Sequence, residues 1–331
     1  MSRALDQDTA ASLKAGNPLA AFEAISGVLT ASYETLLEIE ILPKSHILPD
    51  RQYVIQDDNA VGISKLGLVQ AFIVARQRLR DHIDKTHPWS DDDLFAATAV
   101  ILLLDPEYLT AANTRKRLIQ KHLRNPDQLR LVLKKEKQFL DTFLTSILHR
   151  HTKSPTLWNH RRWLLGVFKS CDLPIDVVAD IRDIVCVAGE RHSRNYYAWC
   201  HARFLMSLGN DVNGQELLNT IKTWCFRHHT DISGWSFLCF LLSASNVADP
   251  GAVDSVSAQV LEIVSSLRLV NESVWVFLRT LAASGLICDE QYSRFQNVQR
   301  HLMEVSTNSS DKTILRSAID WCETYRTKKM N

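Results

Sequence analysis

One motif returns along the chain at positions 112, 158, 199, 235 and 275, at intervals of 46, 41, 36 and 40 residues. Its fullest copies are Ser154-Pro155-Thr156-Leu157-Trp158-Asn159-His160-Arg161-Arg162-Trp163-Leu164 and Asn195-Tyr196-Tyr197-Ala198-Trp199-Cys200-His201-Ala202-Arg203. Weaker copies are Asp231-Ile232-Ser233-Gly234-Trp235 and Asn271-Glu272-Ser273-Val274-Trp275, and in the first copy Ala112 stands where the tryptophan is expected. Each copy begins with turn-forming residues, then places a large aromatic, then basic residues, then an apolar tail. An interval of about 40 residues holds two helices and a turn. A lone helical hairpin cannot bury its apolar stripe, so such units must stack on one another. The expected fold is all-α, a right-handed α-α superhelix (solenoid) of stacked helical hairpins.

The residues between the anchors carry the matching pattern. Leu129, Val132, Leu133, Leu140, Phe143, Leu144 and Ile147 recur at three- and four-residue steps, with Lys134, Lys135, Glu136 and Lys137 between them. That is the signature of an amphipathic helix. Asp91 and Asp92 stand where N-caps are expected before the helix that begins at 93. Strand-like alternation is confined to Tyr53-Val54-Ile55, inside an irregular, proline-punctuated stretch over 43–64. The expected organisation is an N-terminal helical segment over 1–92, hairpin repeats over 93–285 and capping helices over 286–331.

Composition narrows the functional classes. Lys and Arg total 38 against 37 Asp and Glu, so bulk charge does not hold this chain to nucleic acid. The basic residues Lys121, Arg124, Arg130, Lys134 and Lys135 are balanced by acid elsewhere and fit a solvated helix face or a contact with an acidic surface. Glycine occurs only 11 times, and phosphate-cradling glycine loops are absent. The seven cysteines are odd in number and form no CxxC pair, which fits reduced thiols rather than a disulfide framework. The opening Met1-Ser2-Arg3-Ala4-Leu5-Asp6 is not a signal-peptide pattern, and no apolar run spans a bilayer. The expectation is a cytoplasmic protein with no stable membrane insertion.

The motif resembles the repeat of the protein prenyltransferase α subunits, roughly N-Y-x-x-W-x-x-R-R-x-L. Trp158-Asn159-His160-Arg161-Arg162-Trp163-Leu164 carries its back half, and Asn195-Tyr196-Tyr197-Ala198-Trp199 its front half. The resemblance covers about residues 94–285. It implies one half of a heterodimeric enzyme. The partner would be a β subunit, of the type shared with Rab geranylgeranyltransferase, that holds zinc and most of the prenyl pocket. The complex would transfer a prenyl group from prenyl diphosphate to a C-terminal cysteine of a protein substrate. This chain itself would bind no cofactor.

The resemblance also implies roles for single residues. Lys153, five before Trp158, matches the family's diphosphate-contacting lysine; its alternative role is a solvated turn residue. Tyr196, three before Trp199, matches a tyrosine lining the same region; its alternative role is packing at a repeat turn. The equivalent position in the preceding repeat is Pro155, which departs from the family and removes one expected contact. Trp158, Trp199, Trp235 and Trp275 read as packing anchors. Arg161, Arg162 and Arg203, with Arg115 and Arg117, read as pairing with carboxylates of neighbouring repeats. Cys225, His228 and His229 have metal-like spacing without a second ligand half. A scaffold of helical repeats without catalytic function is the second reading. A tetratricopeptide array fits less well, because the intervals exceed about 34 residues.

Overall fold

The computed structural model describes residues 16–43, 52–209, 212–244, 247–248 and 250–326; the Met1–Asp6 stretch and the Arg124 side chain lie outside that description. The chain divides into two compact units, Met1–Ile175 and Asp176–Asn331, so the division falls within the repeat region.

The first unit opens with α1 (Pro18–Thr30), a small sheet and α2 (Lys65–Ile83). The sheet corrects the sequence expectation of an irregular stretch over 43–64. Strands β1 (Glu38–Leu42), β2 (Val54–Asp57) and β3 (Ala60–Ser64) assemble in the order β1-β3-β2. β1 runs parallel to β3, and β2 antiparallel to it. The alternation Glu38-Ile39-Glu40-Ile41 buries Ile39 and turns both glutamates to solvent. These strands are four or five residues long, too short to stand out against the helical periodicity around them. The left-handed backbone at Asp58, φ 50°, closes the β2–β3 hairpin.

Two hairpins complete this unit. The first pairs α3 (Asp91–Leu104) with α4 (Leu109–Lys121). The second pairs α5 (Pro126–Leu144) with α7 (Pro155–Ser170), joined through the single turn α6 (His149–Thr152). Ser90, rather than Asp91 or Asp92, caps α3. Its hydroxyl accepts from the Asp93 amide while Asp93 returns a bond to the Ser90 amide, a reciprocal capping box. The three aspartates then occupy the first turn, where the helix dipole favours negative charge.

The second unit holds four hairpins among the described residues. The first of them pairs α8 (Val177–Asp180), a π-helical segment (Ile181–Cys186) and α9 (Val187–Arg191) with α10 (Tyr196–Leu208). The others are α11 (Gly214–Arg227) with α12 (Ile232–Ser243), α13 (Pro250–Ser266) with α14 (Glu272–Ser284), and α15 (Asp289–Val305) with α16 (Ser309–Tyr325). Helices α10, α12, α14 and α16 stack in succession. The array is the helical-hairpin repeat that the anchor spacing implies.

Basic side chains four residues after the anchors tie successive second helices together. Lys116 sits 5.7 Å from the centre of the Trp163 ring. Arg203 donates to the Ser236 hydroxyl at 3.0 Å, and Arg279 to the Ser317 hydroxyl at 2.9 Å. Three residues after the anchors, the arginines go inward. Arg115 forks onto Glu136 at 2.9 and 2.6 Å and gives its remaining amine to the Phe95 carbonyl at 2.8 Å. Arg161 donates to Asp141 at 2.7 Å, whose other oxygen takes Lys137 at 2.7 Å. Arg115 thus pairs across neighbouring repeats, as expected, whereas Arg161 reaches Asp141 inside its own hairpin. Burial opposes the charge on Glu136 and Asp141, but the cations beside them outweigh it and hold both carboxyls below their usual range. A one-residue difference along a helix separates the two outcomes by about 100° of rotation.

Tight aromatic packing fills the second unit. The Trp224 ring meets Trp199 edge-on at 4.8 Å and donates its indole N–H to the Cys186 carbonyl in the π segment at 3.1 Å. Gly234 makes this fit possible, since a Cβ there would lie 2.3 Å from Trp224. Gly234→Ala is expected to destabilise the protein by about 1–3 kcal/mol through overpacking. A urea midpoint equal to that of the parent chain would remove Gly234 from the set of packing determinants.

Buried imidazoles predict an acid limit. Burial holds His151 down to about 4 and His160 down to about 3. Below pH 6.5 the unfolded chain binds protons that the folded rings refuse. Stability from each ring is therefore complete above pH 6.5 and declines by about 1.4 kcal/mol per pH unit as pH falls towards 4. Urea midpoints at pH 7.5 and 5.0 should differ accordingly, and His151→Gln should shrink the difference. An equal difference in that variant contradicts the assignment.

Candidate functional site at the hairpin turns

The repeat motif begins with a cap. Four residues before each tryptophan stands a short polar side chain that accepts a backbone N–H at the start of the second helix. Ser154 accepts from Leu157, Asn195 from Ala198, Asp231 from Ser233 and Gly234, and Asn271 from Val274. These caps satisfy amides that the helix leaves open. They also fix the direction in which the preceding residue and the following one project. Lys153 sits just before the Ser154 cap, and Tyr196 just after the Asn195 cap.

The tryptophan locks the same turn from inside. The indole N–H of Trp158 donates to the Thr152 carbonyl at 2.8 Å, that of Trp235 to His229 at 3.0 Å, and that of Trp275 to Leu269 at 3.0 Å. Each acceptor lies six residues upstream. All four tryptophans are buried. Trp199 differs, because its indole nitrogen is buried without a hydrogen-bond partner among the described residues. Beside it, Arg194 adopts φ 56° and donates its backbone N–H to Asp231 at 2.6 Å.

Neighbouring turns are cross-linked into a rim. In the first unit the Ser154 hydroxyl contacts the Glu107 carboxylate, and Thr156 donates to the same group at 2.6 Å. In the second unit Ser273 donates to the Thr230 carbonyl at 2.9 Å, and Asn271 meets His229 at 3.1 Å. The two rims carry mainly cations at their outer surface. Arg150 and Lys153 line one; Arg191, Arg194 and Arg227 line the other. Arg150 is paired with Asp105 at 2.8 Å.

Lys153 is half-buried at the end of α6, where its amide donates to the His149 carbonyl at 3.3 Å. Below it the buried His151 donates to the Leu102 carbonyl at 3.0 Å and Thr152 to the Ser146 carbonyl at 2.7 Å, so the lysine stands on an ordered floor. Tyr196 opens α10 and is 68% exposed, with its ring edge-on to Tyr197 at 5.6 Å. Its hydrogen bond with the Cys200 thiol pushes the phenol pKa up, so at neutral pH the hydroxyl is a proton donor. Pro155 takes the first helical position of α7, where a missing N–H costs nothing, and supplies no hydroxyl. Lys153 belongs to the first unit and Tyr196 to the second.

Sequence reading missed Glu107, Glu136 and Asp141, whose partners Ser154, Arg115 and Arg161 lie 20 or more residues away along the chain. It also missed Arg194, since nothing in the residue type signals a positive φ. Among the described residues no three His, Cys, Asp or Glu side chains converge as metal ligands. The Cys225–His228–His229 set disperses. Cys225 is buried with its thiol pKa well raised by burial, His228 stacks on Trp224 at 4.3 Å, and His229 turns to Asn271. No helix of the described residues is long and apolar enough to cross a membrane.

Comparison with known proteins agrees with this geometry. Residues 141–168 match the protein prenyltransferase alpha subunit repeat, and residues 157–257 match the ECM9 middle domain. The chain is 27% identical over 227 residues to protein prenyltransferase alpha subunit repeat-containing protein 1-B of Xenopus laevis, covering 62% of this chain and 50% of the relative. It is 28% identical over 192 residues to protein ECM9 of Saccharomyces cerevisiae, covering 56% and 50%. It is 27% identical over 201 residues to geranylgeranyl transferase type-2 subunit alpha of Sus scrofa, covering 58% and 34%. The chain therefore spans about half the length of the first two relatives and about a third of the third. The match to the protein prenyltransferase alpha subunit repeat falls on the Trp158 hairpin, in a chain similar to the repeat-containing proteins and, more distantly, to transferase α subunits.

Proposed function

We propose that this chain is the α-type subunit of a heterodimeric protein prenyltransferase of the geranylgeranyl-transferring kind, acting in the cytoplasm. Its partner is a β subunit of the Rab geranylgeranyltransferase type, which carries the zinc that activates the substrate's cysteine when bound. The supporting observation is that Lys153 and Tyr196, each on the rim of its own unit, stand five and three residues before their anchor tryptophans and are each fixed by a neighbouring cap. In this reading each of the two residues meets the diphosphate end of the partner's prenyl pocket. Negative charge builds on the departing diphosphate as the bond to the prenyl carbon breaks. An ammonium and a phenol held in advance stabilise that charge without reorganising. The chain holds no acid–base or nucleophilic set of its own in this scheme, so it is inactive alone.

One observation favours a second reading, a scaffold without catalytic duty. Pro155 occupies the position where the family's other tyrosine is expected, and the Ser154 and Thr156 hydroxyls beside it are committed to Glu107.

The two readings part in one experiment. The chain is co-expressed with a Rab geranylgeranyltransferase β subunit, and prenyl transfer is measured for the parent complex, Lys153→Ala and Tyr196→Phe. The catalytic reading expects a stable complex in which Lys153→Ala lowers kcat about 100-fold with the complex intact, and Tyr196→Phe lowers it less. Unchanged turnover in an intact complex supports the scaffold. Failure to form any complex, or activity from the chain alone, rejects the transferase reading.

A further inference from the structure

Away from the hairpin turns, the first unit carries an open cavity of about 560 Å³. It lies between the end of α1, the segment leading into β1, the start of α3, and α5. The wall from 31 to 37 is pinned across a long sequence separation. Gln138 donates to the Tyr33 carbonyl at 2.6 Å and the Thr35 carbonyl at 3.3 Å, and the Leu37 amide donates to Thr142 at 3.4 Å. The volume suits a small organic molecule.

The lining is sorted by chemistry. Its floor is aromatic and apolar: Phe95, Phe139, Phe143, Leu29 and Leu37. Arg115 and Glu136 also line it, but their hydrogen bonds are spent on each other and on the Phe95 carbonyl, and the guanidinium lies 3.9 Å over the Phe139 ring. The pair thus presents itself as a neutral wall. Four polar groups keep unspent capacity among the described residues. Asp92 and Lys135 make no hydrogen bond or ion pair. Gln128 accepts from Asn125 through its oxygen, which leaves its amide N–H₂. Gln138 uses its N–H₂ on the wall, which leaves its oxygen.

One anion, one cation, one donor and one acceptor around an aromatic floor form a complementary set. We propose that this cavity binds a small zwitterion with an apolar body and a peptide-like amide, of dipeptide size. The ligand's ammonium pairs with Asp92 and its carboxylate with Lys135. Its amide N–H donates to Gln138, its carbonyl accepts from Gln128, and its side chains cover the phenylalanines. Each end group adds one ion pair at the cavity mouth, and a ligand lacking it forfeits that pair. The site is separate from the hairpin rim and does not rest on the transferase reading.

The test uses the full chain and the dipeptide Phe-Leu, with acetyl-Phe-Leu and Phe-Leu-amide as charge controls, in calorimetric titrations. Phe-Leu is expected to bind saturably, and each control about tenfold more weakly. Lys135→Gln should abolish the difference between Phe-Leu and Phe-Leu-amide. Asp92→Asn should abolish the difference between Phe-Leu and acetyl-Phe-Leu. Both positions are exposed, so an unchanged thermal midpoint confirms that the variants fold. Absence of saturable binding by all three peptides overturns the proposal, as does binding that neither substitution alters. Equal affinity for the capped and free peptides overturns it as well.

Discussion

The turn between paired helices is the constraint on which the rest of the molecule depends. A helical hairpin must reverse direction within a few residues while leaving no buried N–H or C=O unsatisfied. Here one short polar side chain takes the open amides of the second helix, and an indole four residues on takes a carbonyl at the end of the preceding segment. The two bonds act from opposite sides of the turn. Together they fix where the second helix starts and how it is rotated about its axis. Rotation decides which residues meet the next hairpin, so a single cap sets the register of contacts along that helix. The apolar area buried by stacking then supplies the driving force.

The two units solve the interior differently with the same motif. In the first, arginines three residues after the anchor dive inward onto Glu136 and Asp141. Such pairs hold helices in one arrangement, yet they add little net stability because desolvation cancels most of the attraction. In the second unit, Ala202 stands in place of that arginine, and the space is filled by Trp199, Trp224 and Phe237. Arg203 sits one residue later and reaches sideways, over Phe237 and Phe240 and onto Ser236. The shift from inward charge to aromatic packing goes with the apolar residues Ala202, Leu238 and Leu278 at that fixed repeat position.

Legibility in the sequence followed the range of the interactions. The caps and tryptophans were readable because each acts within six residues, so a fixed spacing repeats down the chain. The helices were readable because burial imposes their period. The sheet was not, since five-residue strands such as Glu38–Leu42 draw their partners from 20 residues away. Glu136 and Asp141 looked like members of a charged surface helix until folding brought Arg115 and Arg161 to them. The cavity could not be read at all, for it depends on where 31–37 is pinned against α5. Lys153 and Tyr196 stood out through the family resemblance at their offsets from the anchors, which implies a position and a role without showing either.

The third hairpin turn shows how far the motif bends before it fails. Arg194 holds a positive φ, which costs a non-glycine residue of order 1 kcal/mol. The Trp199 indole N–H has no acceptor among the described residues, a further penalty of about 1–3 kcal/mol for a buried donor. Two gains offset these. Turned this way, the Arg194 amide reaches the Asp231 carboxylate at 2.6 Å, a charge-assisted bond that ties the third turn to the fourth. The Trp199 ring, released from its upstream carbonyl, packs edge-on against Trp224, whose own indole caps the π segment at Cys186. Asp231 is therefore the pivot of the second unit: it caps α12 with one oxygen and restrains the neighbouring turn with the other. Tyr196 follows directly on that restrained turn. Its exposure is thus set by a carboxylate in the next repeat as much as by its own helix.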